Sequence, residues 1–289
     1  MIFNKTNKFF LYFFLIGSTL IGLEKEDLLY MTKDYEKGVE IARSYSLPLV
    51  VVFSGGEWCF YSKKLEEKIL SKQEFIHEVN KKFVFIQVDF PDIPISLRSK
   101  IVAQNFLLKE EFHVRDFPAV VLLNSELEEV CRIGYTEEIP CEYAKRLLSA
   151  WNKYDVLSQQ LTNASQLSFE KIQDLYQECK ELGSLALAKK FIEAGLKIDK
   201  DFFFHIAAYQ SFQGDDKKKI KEKMLGSSLD KGELAVRIGL IDLADKKPEE
   251  RESEISNLFS LIENLKKTGV DCSKISAHLD AWAQIGKQD

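Results

Sequence analysis

The chain has 289 residues, of which 45% are hydrophobic and 29% charged, and a formal net charge of −5. This is the composition of an ordinary globular protein with room for two domains, and mild acidity without a long basic stripe argues against a nucleic-acid binder. Five cysteines are too few for a disulfide-dense scaffold of this length, and their odd number leaves at least one thiol unpaired or paired between molecules.

At the N-terminus, Lys5 and Lys8 precede an uncharged apolar run, 9–23, closed by Glu24-Lys25-Glu26-Asp27. A positive flank and a short apolar stretch describe a secretory signal peptide. The run falls short of the roughly 20 residues that span a bilayer. With cleavage after Gly22, Leu20 stands where a small residue is preferred, so residues 1–23 are read as a signal peptide with an uncleaved anchor as the alternative. No cysteine ends the run, which gives no indication of a lipoprotein. Export, with the periplasm as the expected location, implies a compartment that permits disulfides. Membrane contact is expected only through this segment, if it is uncleaved.

The following stretch, 30–153, predicts an α/β domain. Residues 34–42 read as a helix leading to Pro48. The continuous apolar run Leu49-Val50-Val51-Val52-Phe53 reads as a strand buried on both faces. Ser54-Gly55-Gly56-Glu57-Trp58-Cys59 follows, and then Leu65, Ile69 and Leu70 recur at helical spacing. A cysteine therefore sits where a strand turns into a helix. There the free N–H groups and the macrodipole favour an anion and with it the thiolate. Phe75, Ile76 and Val79 continue a helical pattern. A strand over 82–89 comes next, then a loop with Pro91 and Pro94, which remove N–H groups and restrain their neighbours. A helix over 105–114, a strand over 119–123, a turn at 124–126, a strand over 128–134 and a helix over 141–151 complete a mixed sheet with helices on both faces.

This layout resembles the thioredoxin fold, and the pattern Phe53-Ser54-Gly55-Gly56-Glu57-Trp58-Cys59 is similar to that of secreted bacterial disulfide oxidoreductases and isomerases. The resemblance covers roughly residues 30 to 152. It implies that Pro118, just before its strand, has a cis peptide bond and faces the active cysteine. Two departures stand out. The usual Cys-x-x-Cys is here Cys59-Phe60-Tyr61-Ser62, and Phe53 occupies the position where some thioredoxins carry a buried aspartate. With no second thiol at position 62, a mixed disulfide on Cys59 is resolved by the substrate's own thiol or by a small thiol. This favours isomerisation or mixed-disulfide holding over net oxidation or reduction. Ser62 is expected to offer a hydroxyl to the Cys59 sulfur from one helical turn away. Trp58, Phe60, Tyr61 and Phe117 are expected to surround the cysteine, and with Pro118 to seat an extended peptide.

The remaining cysteines are Cys131, Cys141, Cys179 and Cys272. A structural pairing of Cys131 with Cys141 is one option, which geometry decides. Either could serve as a distant resolving thiol only by reaching Cys59, and both are expected far from that end of the domain. The scattered histidines give no zinc-like spacing, so no metal and no cofactor are expected.

From 160 to 289 the pattern changes to helices throughout, six or seven of them in hairpin pairs. Residues 162–165 suggest a linker and helix start, and Gly183 and Gly195 suggest helix stops. Phe202-Phe203-Phe204-His205 reads as core. Two functions remain open. One is thiol–disulfide exchange on cysteine-containing exported proteins, with Cys59 as the nucleophile and a separate redox partner protein as an option. The other is a redox-inactive thioredoxin-like module that binds unfolded or partner chains.

Overall fold

The computed structural model describes residues 30–90, 100–199, 201–226 and 231–285. The apolar segment before residue 24 therefore lies outside the described residues. Five strands form one sheet: β1 (Tyr30–Thr32), β2 (Leu49–Ser54), β3 (Val84–Asp89), β4 (Ala119–Leu123) and β5 (Glu129–Ile133), in the order β1-β3-β2-β4-β5. β3 runs parallel to β1 and β2, whereas β4 runs antiparallel to β2 and β5. β2 lies at the centre, and all six of its residues are buried. Its apolar side chains alternate between two layers, with Val50 and Val52 on one face and Leu49, Val51 and Phe53 on the other.

Helices cover both faces. α1 (Tyr35–Tyr45) and α4 (Lys100–Glu111) pack Val39, Ala42 and Leu108 onto the Phe53 face. α2 (Phe60–Leu65), which runs on through a π-type turn over Glu66–Leu70, covers the Val50 face together with α3 (Gln73–Val79) and α5 (Pro140–Thr162). The predicted helix over 105–114 begins earlier, at Lys100, and the one over 141–151 is longer, ending at Thr162. β1 was not expected, since three residues are too few to show a period of two.

The hairpin between β4 and β5 is held by Asn124. Its Oδ1 accepts the N–H groups of Glu126 and Glu128, at 3.0 and 2.8 Å, so the side chain closes the turn that the sequence suggests. Its Nδ2 reaches the Tyr154 hydroxyl at 2.7 Å and ties the hairpin to α5.

Seven further α-helices follow among the described residues: α6 (Phe169–Leu182), α7 (Leu185–Gly195), α8 (Phe203–Ser211), α9 (Gly214–Gly226), α10 (Lys231–Asp245), α11 (Pro248–Lys267) and α12 (Ser273–Ile285). Residues 164–166, inside and beside the expected helix start, form a 3-10 turn, and the helix is capped instead by Ser168, whose side chain accepts Lys171 N–H at 3.2 Å. Residues 153 and 160, the expected edges of the two regions, both lie inside α5. The layer on the Val50 face continues without a break into Ile172, Phe191 and Phe204 of α6, α7 and α8. Lys190 of α7 adds an ion pair to Glu128 at 2.7 Å.

Gly195 closes α7 against the fully buried Phe204 ring. A Cβ there would lie 2.3 Å from Phe204 Cδ2. Gly195→Ala is therefore expected to destabilise the protein by about 1–3 kcal/mol, the usual cost of overpacking a close contact. A denaturant titration checks this, and an unchanged midpoint would contradict the contact.

Candidate active site

The site is assembled at the end of β2. The strand delivers the chain into a 3-10 turn, Gly56–Trp58, and Cys59 then caps α2 in an extended conformation, φ −97° and ψ 106°. Its carbonyl accepts Lys63 N–H at 3.0 Å, so the helix starts directly at the cysteine. Gly55 is required by close approach, because a Cβ there would meet Cys59 Cβ at 2.6 Å and the Trp58 ring at 2.8 Å. The Cys59 thiol is half-buried, and its Sγ lies 3.5 Å from the Phe117 carbonyl oxygen. The Phe117–Pro118 peptide bond is cis. β4 starts at the next residue and pairs with β2, Ala119 opposite Phe53, which brings residues 117 and 118 to the cysteine.

Ser62 is placed otherwise than the sequence suggests. Its side chain turns inward, only 3% of the residue is exposed, and its Oγ accepts Gly55 N–H at 3.0 Å. The contacts of neither residue include a Ser62 bond to the sulfur. The hydroxyl braces the glycine turn beneath the cysteine. Phe53, where some thioredoxins carry an aspartate, is fully buried and packs on Phe112 with ring centroids 5.7 Å apart.

The aromatic residues form a rim. Trp58, Phe60 and Tyr61 are 49%, 64% and 55% exposed, so these rings lie outside the core. Trp58 donates its indole N–H to the Phe90 carbonyl and meets Phe117 edge-on at 5.8 Å. Phe60 and Tyr61 touch at 5.4 Å, and the Lys64 ammonium sits 4.7 Å from the centre of the Phe60 ring. Residues 134–139, between β5 and α5, close the other side. Tyr135 lies 6.0 Å from Tyr61, and Glu137 pairs with Lys64. Arg146 secures this loop, donating to the Gly134 carbonyl at 3.0 Å and to Glu138 at 2.6 Å. Phe90, buried against Phe117, and Tyr135 are neighbours of the rim that the sequence reading missed. Phe90 immediately follows β3 and Tyr135 lies two residues past β5, both at strand ends on the cysteine's side, and that position was the available signal.

All five cysteines carry free thiols, so Cys131 and Cys141 are not paired. Cys131 faces Leu122 in the register of β4 and β5, well along the sheet from Pro118, and burial with nearby Glu129 pushes its pKa up to about 11. Burial likewise pushes Cys179 up to about 12. Cys141 opens α5 just after the loop that touches α2, and its Sγ is 4.0 Å from Glu142. At pH 8 a thiol with a pKa near 11 is ionised about one part in a thousand. Iodoacetamide is therefore expected to label Cys59 and Cys141 in the native protein, and Cys131 and Cys179 only after unfolding. Peptide mapping by mass spectrometry checks this, and native labelling of Cys131 would contradict its burial.

Among the described residues, no three His, Cys, Asp or Glu side chains are grouped to hold a metal, and no helix is long and apolar enough to cross a membrane.

The half-buried thiol at the cap of a helix, beside a cis-proline at the end of a central strand, sits within a thioredoxin-like fold. A family model described as a thioredoxin-like domain matches residues 35–150. Among curated relatives, the chain is 26% identical over 272 residues to the "Thioredoxin-related protein DsbJ" of Chlamydia pneumoniae, covering 89% of this chain and 72% of that protein. It is 27% identical over 121 residues to the "Disulfide bond reductase DsbH" of Chlamydia pneumoniae, covering 41% of this chain and 70% of the other. A solved structure titled "DsbH Oxidoreductase" aligns with a TM-score of 0.40 at 24% identity, over 46% of this chain and 93% of that one. The similarity to DsbJ extends beyond the thioredoxin-like domain into the helical region.

Proposed function

We propose that the protein carries out thiol–disulfide exchange on exported, cysteine-containing proteins, acting through Cys59 alone as a monothiol isomerase or mixed-disulfide chaperone. Homology to proteins named DsbJ and DsbH supports the redox class. The single observation that carries the finer reading is the inward Ser62 hydroxyl, bonded to Gly55, at the position of the resolving thiol.

In this reading the Cys59 thiolate attacks one sulfur of a substrate disulfide. The S–S bond breaks, the far sulfur leaves as a thiolate, and a mixed disulfide joins Cys59 to the substrate. A second substrate thiolate then attacks the substrate sulfur of that bond. A new substrate disulfide forms, Cys59 leaves as a thiolate, and no net electrons are transferred. Phe117 and Pro118 seat the substrate backbone beside the sulfur, and Trp58, Phe60 and Tyr61 contact its side chains. A separate redox partner would be needed only to keep Cys59 reduced. The apolar segment at 9–23 supplies the export signal, with the periplasm as the site of action.

The test is recovery of a scrambled, disulfide-containing enzyme in a glutathione buffer. The wild type should accelerate recovery, and Cys59→Ala should not. Equal recovery with both would overturn the catalytic reading and favour the second one, a redox-inactive module that binds unfolded or partner chains.

A further inference from the structure

The rim of aromatic rings does not stop at the cysteine. Trp58 meets Phe117 at 5.8 Å, Phe117 stacks on Phe90 at 5.0 Å, and Phe90 meets Phe106 of α4 edge-on at 5.5 Å. Phe106 and its neighbour Leu107 are 48% and 71% exposed. With the exposed Ala103 they share one helix face, at i, i+3 and i+4. From Ile101 to Leu108 the helix carries no ionic side chain. This apolar face is fixed in place: the buried Asn105 donates its amide N–H to the Asp89 carbonyl at 2.9 Å, locking α4 to the end of β3 next to Phe90.

We propose that the α4 face formed by Ala103, Phe106 and Leu107 is a second substrate-binding segment, which selects disulfides flanked by an extended, uncharged apolar stretch of polypeptide. The proposal rests on the exchange reading of Cys59 and names the substrate class of that site. Two observations commit the occupant to the reacting polypeptide itself. The face is continuous with the cysteine through successive ring contacts, which together correspond to at most about five residues of extended chain at about 3.3 Å each. It also offers no charge to pair with an ionic partner. A small, highly charged disulfide such as oxidised glutathione can reach Cys59 but gains nothing from α4. An apolar peptide removes Phe106 and Leu107 from water.

The full-length protein is mixed with two disulfides under single-turnover conditions. One is oxidised glutathione, and the other is a homodimeric disulfide of a peptide whose cysteine is flanked by leucine, valine and phenylalanine. Mixed-disulfide formation on Cys59 is followed by acid quench and intact-mass spectrometry. In each case the Cys59 sulfur joins one substrate sulfur and the other leaves as a thiolate. Phe106→Ser/Leu107→Ser is expected to slow the reaction with the apolar peptide about tenfold, while glutathione stays within about twofold. Val156→Ser, at an equally exposed apolar position on α5, is expected to change neither rate. Loss of both rates together, or of neither, would overturn the proposal while leaving the exchange reading intact. Failure of the wild type to react with either disulfide would overturn both. Sedimentation is run on the same samples. A wild-type dimer that the double variant converts to monomer, with the ratio of the two rates unchanged, would assign the face to a second copy of the chain and overturn the proposal.

Discussion

Ser62→Cys is expected to turn a long-lived mixed disulfide into a transient one. Position 62 lies one helical turn from Cys59, and side chains three apart on a helix have Cβ atoms about 5–6 Å apart, within reach of a disulfide after a small adjustment. A second thiol there attacks the Cys59 mixed disulfide intramolecularly. Well-placed intramolecular groups reach effective molarities of about 10⁵ M or more, against the millimolar concentration of any external thiol. The lifetime of the adduct is expected to fall at least about a thousandfold, and the protein to release a reduced substrate and hold an internal disulfide. The gain has a structural cost. Ser62 Oγ accepts the buried Gly55 N–H at 3.0 Å, and sulfur is a weak acceptor. The variant should therefore lose about 1–2 kcal/mol of stability through that poorly satisfied donor. Rapid-quench measurement of the adduct checks the first effect, and denaturant unfolding of the reduced variant checks the second. An adduct as long-lived as the wild type's would contradict the reach of a position-62 thiol to the Cys59 sulfur.

Cys59→Ala is expected to have the largest effect on covalent chemistry. Cys131, Cys179 and Cys272 are buried, and burial holds the first two far above neutral pH in their ionisation. Cys141 is the one other thiol with partial exposure, and it lies outside the aromatic rim. Capture of disulfide-linked partners by the wild type, resolved on non-reducing gels, should vanish in Cys59→Ala and persist in Cys141→Ala. Partners retained by Cys59→Ala but lost in Cys141→Ala would move the chemistry to the start of α5.

The parts of this arrangement that were legible in the sequence are those set by local pattern. β2 could be read because a strand buried on both faces must be apolar at every position, as 49–53 are. The placement of Cys59 followed from the change of period after Gly55 and Gly56. Pro118 was found because its position before a strand matched a known layout. What escaped the sequence depends on contacts between distant residues. The residue type at 62 was visible, but not that Gly55 N–H would take its oxygen and turn it inward. Phe90 and Tyr135 reach the rings around Cys59 from two separate segments, and nothing in their local sequence shows those contacts. The change in composition near 155 marks where strands end, not where packing ends: Tyr154 and Leu157 of α5 bury into the same layer as Val50, and that layer runs on to Phe204. Helix patterns give the type of an element more firmly than its length, so α5 was expected to stop near 151.

The most direct test of the central claim is intact-mass spectrometry of the reduced wild-type protein mixed with one equivalent of a peptide disulfide, without added thiol. The account predicts a single peptide adduct, mapped to Cys59, that persists until an external thiol is supplied and is then released in full. Absence of an adduct, or its spontaneous loss with formation of an internal disulfide, would contradict a lone nucleophile whose neighbour at position 62 cannot resolve it.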